Sequence, residues 1–214
     1  MSAPPLPRRF AVLLPVKPSA VAKSRLRGLG DRVRRELVRA FAVDTTTAAL
    51  RSPLVEAVLA VTDDFQLARE LSRLGAHVIP DGTVDLNGTL VQAAAEAARR
   101  WPDLWVAALC GDLPALRSEE LSMALAQAPS HGQSFVTDAA GVGTTMLVSP
   151  TRVPFTPSFG PHSRQAHLDA DAVELHLVDV PTLRRDVDTP GDLSAAVQLG
   201  VGAETSKVTA GLRI

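Results

Sequence analysis

Apolar runs of four to seven residues alternate along this chain with longer segments whose apolar residues recur at helical spacing, and no other feature narrows its fold as far. Short continuous apolar runs suit strands buried on both faces, and their alternation with helices is the pattern of a parallel sheet covered on both sides. The expected class is α/β, with three layers and a mostly parallel central sheet. Phe10–Val16 reads as the first buried strand, and Asp31 as the cap of a helix running to about Leu50. A strand over 55–61, a helix capped by Asp63 or Asp64 and ending near Gly75, and a short strand over 77–79 come next. Turn chemistry from Asp81 to Gly88 leads into an Ala-rich helix ending near Arg100 and a strand over 104–109. Beyond it the pattern predicts a helix from Ser118 and strands over 134–137 and 144–148 as antiparallel additions. An ordered loop over 150–161, a helix over 163–168, a strand over 173–178 and a helix from Pro190 to about Leu199 complete it.

Length and charge bound the function. The 214 residues, 46% of them hydrophobic, fit a single domain over 10–200, between a flexible N-terminus (1–9) and a C-terminal tail (201–214) expected to fray. A formal net charge of -1 supplies no basic field for a nucleic-acid backbone. Neither a signal peptide nor an apolar stretch of the ~20 residues that a membrane helix needs is visible. The single Cys110 suggests neither a disulfide framework nor a zinc site, and a reducing cytoplasm fits it. A small-molecule substrate in a cytoplasmic setting is the expectation.

In open parallel sheets ligands lie outside the carboxyl ends of the strands, so the loops that follow strands are where chemistry is expected. The first, from Lys17 to Gly28, holds Lys17, Lys23, Arg25 and Arg27 and no acid, which suits a polyphosphate; it equally fits an ordinary solvated loop. Neither a Gly-x-Gly-x-x-Gly fingerprint nor a Walker loop is present. The second, Cys110-Gly111-Asp112-Leu113-Pro114, presents an acid at a strand end, where a turn or capping role is the alternative to a magnesium ligand. In the third, Asp186-Val187-Asp188-Thr189-Pro190, Asp188 is the better candidate to cap the last helix, which leaves Asp186 for metal. Gly141–Thr145 and Ser158–Ser163 can turn amides and hydroxyls toward an anion, as ordinary turns also can. His162 and His167, five apart, do not suit paired ligands on one helix face, and surface or core roles are expected of them.

Taken in order, Leu14-Pro15-Val16-Lys17, Ala22-Lys23-Ser24-Arg25-Leu26, Asp44-Thr45, Leu86-Asn87, Gly111-Asp112-Leu113-Pro114, Phe159-Gly160-Pro161 and Asp186–Pro190 resemble the CofC/FbiD family. These are phosphoenolpyruvate or 2-phospho-L-lactate guanylyltransferases of deazaflavin coenzyme F-420 biosynthesis. The likeness spans about residues 10 to 200. It implies a Rossmann-like nucleotidyltransferase fold, GTP and a small phosphorylated carboxylic acid as substrates, and magnesium. By the same likeness Asp112 and Asp186 hold metal, and Thr144, with Thr145 as its alternate, joins Gly160 and Ser163 in holding the phosphorylated acid. Lys17, Lys23, Arg25 and Asn87 serve GTP, with Lys17 and Lys23 also catalytic. A downstream transferase that consumes the product is the implied protein partner. Phosphoenolpyruvate is the first expectation for the acceptor, with 2-phospho-L-lactate and 3-phosphoglycerate as alternatives. Related sugar nucleotidyltransferases and molybdopterin guanylyltransferases carry a Gly-Gly loop after the first strand, which is missing here. A GTP-binding regulatory module without catalysis is the alternative from outside enzymology.

Overall fold

The alternation along strand β1 (Phe10–Pro15) organises the molecule: Phe10, Val12 and Leu14 enter one apolar layer and Ala11 and Leu13 the other, all fully buried. The computed structural model describes residues 8–16, 26 and 29–212. β1 pairs in parallel with β2 (Val55–Val61) on one flank and β4 (Trp105–Leu109) on the other, and β3 (His77–Ile79) continues the sheet beyond β2. Past β4, β6 (Thr144–Ser149) runs antiparallel to both β4 and β5 (Ser134–Thr137), as expected. The short β7 (Val173–Glu174) forms the far edge, giving the order β3-β2-β1-β4-β6-β5-β7 in a seven-stranded sheet.

Helices α1 (Asp31–Arg51), α2 (Phe65–Leu74) and α4 (Ser118–Gln127) cover one face through residues such as Val43, Leu71 and Leu121. The other face is covered by α3 (Leu86–Arg100), through Leu90, Ala93 and Ala97, and by Leu168 of α5 (Ser163–Asp169). A third cluster joins Leu37 and Phe41 of α1 to Leu193 and Ala196 of α6 (Pro190–Leu199) and Val208 of α7 (Ala203–Thr209). Among the described residues no helix is long and apolar enough to cross a membrane.

Helix α2 keeps its expected ends: of the two expected caps Asp64 serves, accepting from the amides of Gln66 and Leu67 at 3.0 Å, and Gly75, at φ 107°, ends it. Several other boundaries differ from the expected ones, each for a local reason. Asp85 accepts from the Gly88 amide, so α3 starts at Leu86, inside the segment expected to be a turn. Asp31 is the first residue of α1, not its cap; Gly30 stands at that position. Thr189, not Asp188, caps α6, through a reciprocal box with Asp192. The strand expected over 173–178 stops at Glu174: Leu175 still donates to the Phe135 carbonyl at 2.8 Å, but Leu177 then folds back on Leu175.

The terminal segment, expected to fray, contains α7. Its cap comes from far away in sequence: Asp44, buried in α1, accepts from the amides of Glu204 at 3.1 Å and Thr205 at 2.8 Å. Gly202 in turn donates to the Pro114 carbonyl at 2.8 Å, which ties the tail to the loop after β4.

Candidate active site

From β1 the chain builds outward through β2 and β3, then returns to the opposite flank of β1 as β4. The order reverses between β1 and β4, and in such sheets the crevice outside the strands' carboxyl ends at that point receives the ligand. Gly111 sits there for a steric reason. A Cβ on it would stand 3.0 Å from the Pro15 carbonyl oxygen and 3.3 Å from Val16 Cγ2, so a side chain would push the two strand ends apart.

The crevice has two adjoining chambers. One, about 170 Å³, is apolar, with Pro15, Val16, Leu90 and Gly111 in its walls. The other, about 660 Å³, is polar and lined by Asp112, Thr144, Gly160, Ser163, Arg185 and Asp186 among others. Leu86, Cys110, Asp112 and Phe159 belong to both, so Asp112 stands at the junction.

The five predicted positions Asp112, Asp186, Thr144, Gly160 and Ser163 thus share one chamber, although they come from four separate parts of the chain. Thr144 and not Thr145 faces it. The Thr145 side chain is wholly buried behind β6, near the Val136 carbonyl. Lys17, Lys23 and Arg25 lie outside the described residues. The Asn87 carboxamide binds both backbone groups of Phe159, donating to its carbonyl at 3.0 Å and accepting from its amide at 2.8 Å. It therefore pins the wall shared by the chambers.

Both acid-bearing loops are held from behind. Thr45, fully buried in α1, accepts from the Leu113 amide at 3.1 Å, immediately after Asp112. The Asp112 carbonyl accepts from Val187 at 3.1 Å, which couples the two loops through the backbone. Upstream of Asp186, the buried Glu120 carboxylate accepts from the amides of Thr182 at 2.8 Å and Leu183 at 3.1 Å. Such bonds fix backbone position, which side chains at the sheet edge could not do alone.

Sequence reasoning missed several residues of the polar chamber. Asp138, His162 and Asp192 line it, and Arg185 is its one lysine or arginine among the described residues. Arg185 Nη1 lies 3.5 Å from Asp192 Oδ1, and its buried Nε has no hydrogen-bond partner. The signal was available: a pair of cations, Arg184 and Arg185, directly before Asp186. His162, at φ 58°, opens α5 and is exposed to the chamber, whereas His167 is 1% exposed.

Burial pushes the His167 imidazole down to about 4, with the Ser163 carbonyl acting the other way. Because the folded value lies below the unfolded ~6.5, the unfolded chain binds the extra proton between them. Stability should therefore rise with pH from about 4 to about 6.5, by at most about 1.4 kcal/mol per pH unit from this one group, and be complete above that window. Urea melts across the window should show a shallower slope for His167→Gln than for the parent protein.

Comparisons with known proteins bear on the family and the fold. A family model described as guanylyl transferase CofC like matches residues 10–214. A phosphoenolpyruvate guanylyltransferase of Thermomonospora curvata is 48% identical over 94% of this chain and 89% of its own. The protein of that name from Streptomyces coelicolor is 46% identical over 96% of this chain and 98% of its own. Among solved structures, a nucleotide-diphospho-sugar transferase described as putative, from Desulfovibrio desulfuricans, superposes with a TM-score of 0.64 at 18% identity, over 88% of this chain and 86% of its own. A nucleotidyl transferase from Methanothermobacter gives 0.61 at 15% identity, over 89% and 97%. These two share the fold.

Proposed function

The chain belongs to the CofC-like guanylyl transferase family, and from that premise we propose that it transfers GMP from GTP to phosphoenolpyruvate. The products are enolpyruvyl-2-diphospho-5'-guanosine and pyrophosphate. One observation carries the reading: Asp112, Asp186, Thr144, Gly160 and Ser163 meet in one polar chamber at the sheet's switch point, beside an apolar chamber that suits a flat base. GTP would lie with its base in the apolar chamber and its phosphates near Asp112. The phosphorylated acid would occupy the polar chamber, against Thr144, Gly160 and Ser163. Asn87 would serve GTP by holding the Phe159 wall, and Lys17, Lys23 and Arg25 by meeting its phosphates.

The residues present suit a divalent cation. Asp112 and Asp186 offer hard oxygen donors in the same chamber, on loops joined by the Val187 bond to the Asp112 carbonyl. Among the described residues no three His, Cys, Asp or Glu side chains form a metal cluster. Two carboxylates with substrate phosphates completing the shell are the usual protein share for magnesium. When bound, magnesium supplies charge neutralisation at the reacting phosphoryl oxygens.

The chemistry needs no base from the protein. A phosphate oxygen of the acceptor, already ionised at neutral pH, forms a bond to the α-phosphorus of GTP while the bond to the bridging oxygen breaks and pyrophosphate departs. Both partners are anions, so the chain's task is to hold them in line against their repulsion. Arg185 is placed to offset charge on the acceptor side, and Thr144 and the turn from Gly160 to Ser163 to orient it. Gly160, at φ 138°, holds a backbone conformation open to glycine. A cytoplasmic location, and delivery of the product to a transferase that consumes it, accompany this reading.

Pyrophosphate release by the purified protein with GTP and magnesium tests it, with phosphoenolpyruvate, 2-phospho-L-lactate and 3-phosphoglycerate offered in turn. Release with phosphoenolpyruvate alone is expected. Release with another acceptor alone would replace the substrate, and GTP binding without release would leave a regulatory module. Ser163→Ala should raise the KM for the acceptor about 5- to 20-fold, the loss of one hydrogen bond, with GTP affinity within about twofold of the parent. A fall in GTP affinity instead would reverse the two chambers.

A further inference from the structure

We propose that His167 is a positioning residue for the acceptor: through a single ring tautomer it turns the Thr144 hydroxyl into a hydrogen-bond donor aimed at the polar chamber and anchors the turn that carries Gly160 and Ser163. The inference rests on the reading of Thr144 as an acceptor contact.

The tautomer follows from the partners. His167 Nε2 lies 3.0 Å from the Ser158 backbone nitrogen, and a backbone N–H can only donate, so Nε2 is the bare nitrogen. The ring is buried between Phe135 and Phe159, with centroids 5.4 Å from each, and is neutral at physiological pH. Its one proton is therefore on Nδ1. That nitrogen stands 2.9 Å from Thr144 Oγ1, and its proton is shared between the hydroxyl and the Ser163 carbonyl; a protonated Nδ1 cannot accept, so toward the imidazole the hydroxyl offers its oxygen. With its oxygen engaged in this way, Thr144 must point its own hydrogen elsewhere. Its hydroxyl belongs to a residue that lines the polar chamber, where an anionic phosphate or carboxylate oxygen of the acceptor is the matching group.

The same ring holds the loop. Ser158 precedes Phe159 and Gly160, and Phe159 is pinned from the other side by Asn87. His167 lies one helical turn after Ser163 on α5, so one side chain ties β6, the 158–160 turn and the start of α5 into a fixed geometry. Sequence spacing excluded a metal-binding pair for this histidine but gave no sign of this role, because its partners lie 9 and 23 residues away.

A double-mutant cycle on acceptor KM tests the proposal, with the GTP Kd and thermal transition of each variant recorded alongside. Gln at 167 can still accept from the Ser158 amide but removes the donor at the Nδ1 position; Asn keeps a donor near Thr144 and drops the bond to Ser158. Thr144→Val and His167→Gln should each raise acceptor KM about 10- to 100-fold, the range for one hydrogen bond to a charged group, with GTP Kd within about twofold. In the Thr144→Val background, His167→Gln should add less than about threefold, since both changes remove the same directed hydroxyl. Full multiplication of the two effects would overturn the proposal, as would an unchanged KM in His167→Gln. Should His167→Gln not fold, His167→Asn decides: retention of Thr144 coupling supports the proposal, and its absence overturns it. An unchanged acceptor KM in Thr144→Val would remove the acceptor reading of the chamber itself, and this inference with it.

Discussion

Asp112→Asn is expected to lower the rate of pyrophosphate release at least about 100-fold, with the thermal transition nearly unchanged. The substitution keeps size and hydrogen-bonding shape, and the backbone bonds that place the residue do not use its carboxylate: Val187 donates to its carbonyl and Thr45 holds the next amide. What is lost is one negative charge at the junction of the two chambers, where GTP phosphates and acceptor would meet. A carboxamide is a poor magnesium ligand beside a carboxylate, so the loss should fall on turnover more than on GTP affinity. Steady-state kinetics at saturating substrates, with a melting curve as the folding control, decide the matter. Turnover within about threefold of the parent would withdraw Asp112 from the metal and place the transfer step elsewhere.

The second large effect is on stability, and it concerns a glycine far from the chemistry. A Cβ on Gly202 would overlap Cγ and Oδ1 of Asp44, the buried carboxylate that caps α7. Its backbone, at φ -66°, tolerates alanine, so sterics alone are at stake. Gly202→Ala should cost about 1–3 kcal/mol through overpacking and lower Tm by about 2–10 °C. Gly211→Ala, where nothing lies within 4 Å, should stay within about 0.5 kcal/mol of the parent. Because Gly202 also donates to the Pro114 carbonyl, the loss should reach turnover through the loop that carries Asp112. Equal melting curves for the two variants would mean that α7 is not held by Asp44.

Much of this was legible in the sequence because it depends on local order. The period-2 burial of Phe10–Leu14, the cap at Asp64 and the exit of β4 into Gly111 and Asp112 are written in adjacent residues. The motif Asp44-Thr45 was visible too, but its role was not. Neither side chain touches the chambers; Asp44 caps a helix 160 positions away and Thr45 steadies Leu113. Asn87 is similar, spending its amide on Phe159 at a distance of 72 residues.

The sequence by itself determined the α/β class, the strands and helices that build the sheet, and the residue types available at the strand ends, since each follows from periodicity and turn chemistry within a dozen residues. Only the tertiary structure decided that Thr144 rather than Thr145 faces the chamber, that Thr189 takes the cap expected of Asp188, that Arg185 joins the site and that the tail folds onto α1. The reason is physical: facing, pairing and ring tautomer are set by which distant groups arrive within 3 Å, and the folded sheet, with its reversal between β1 and β4, brings them there.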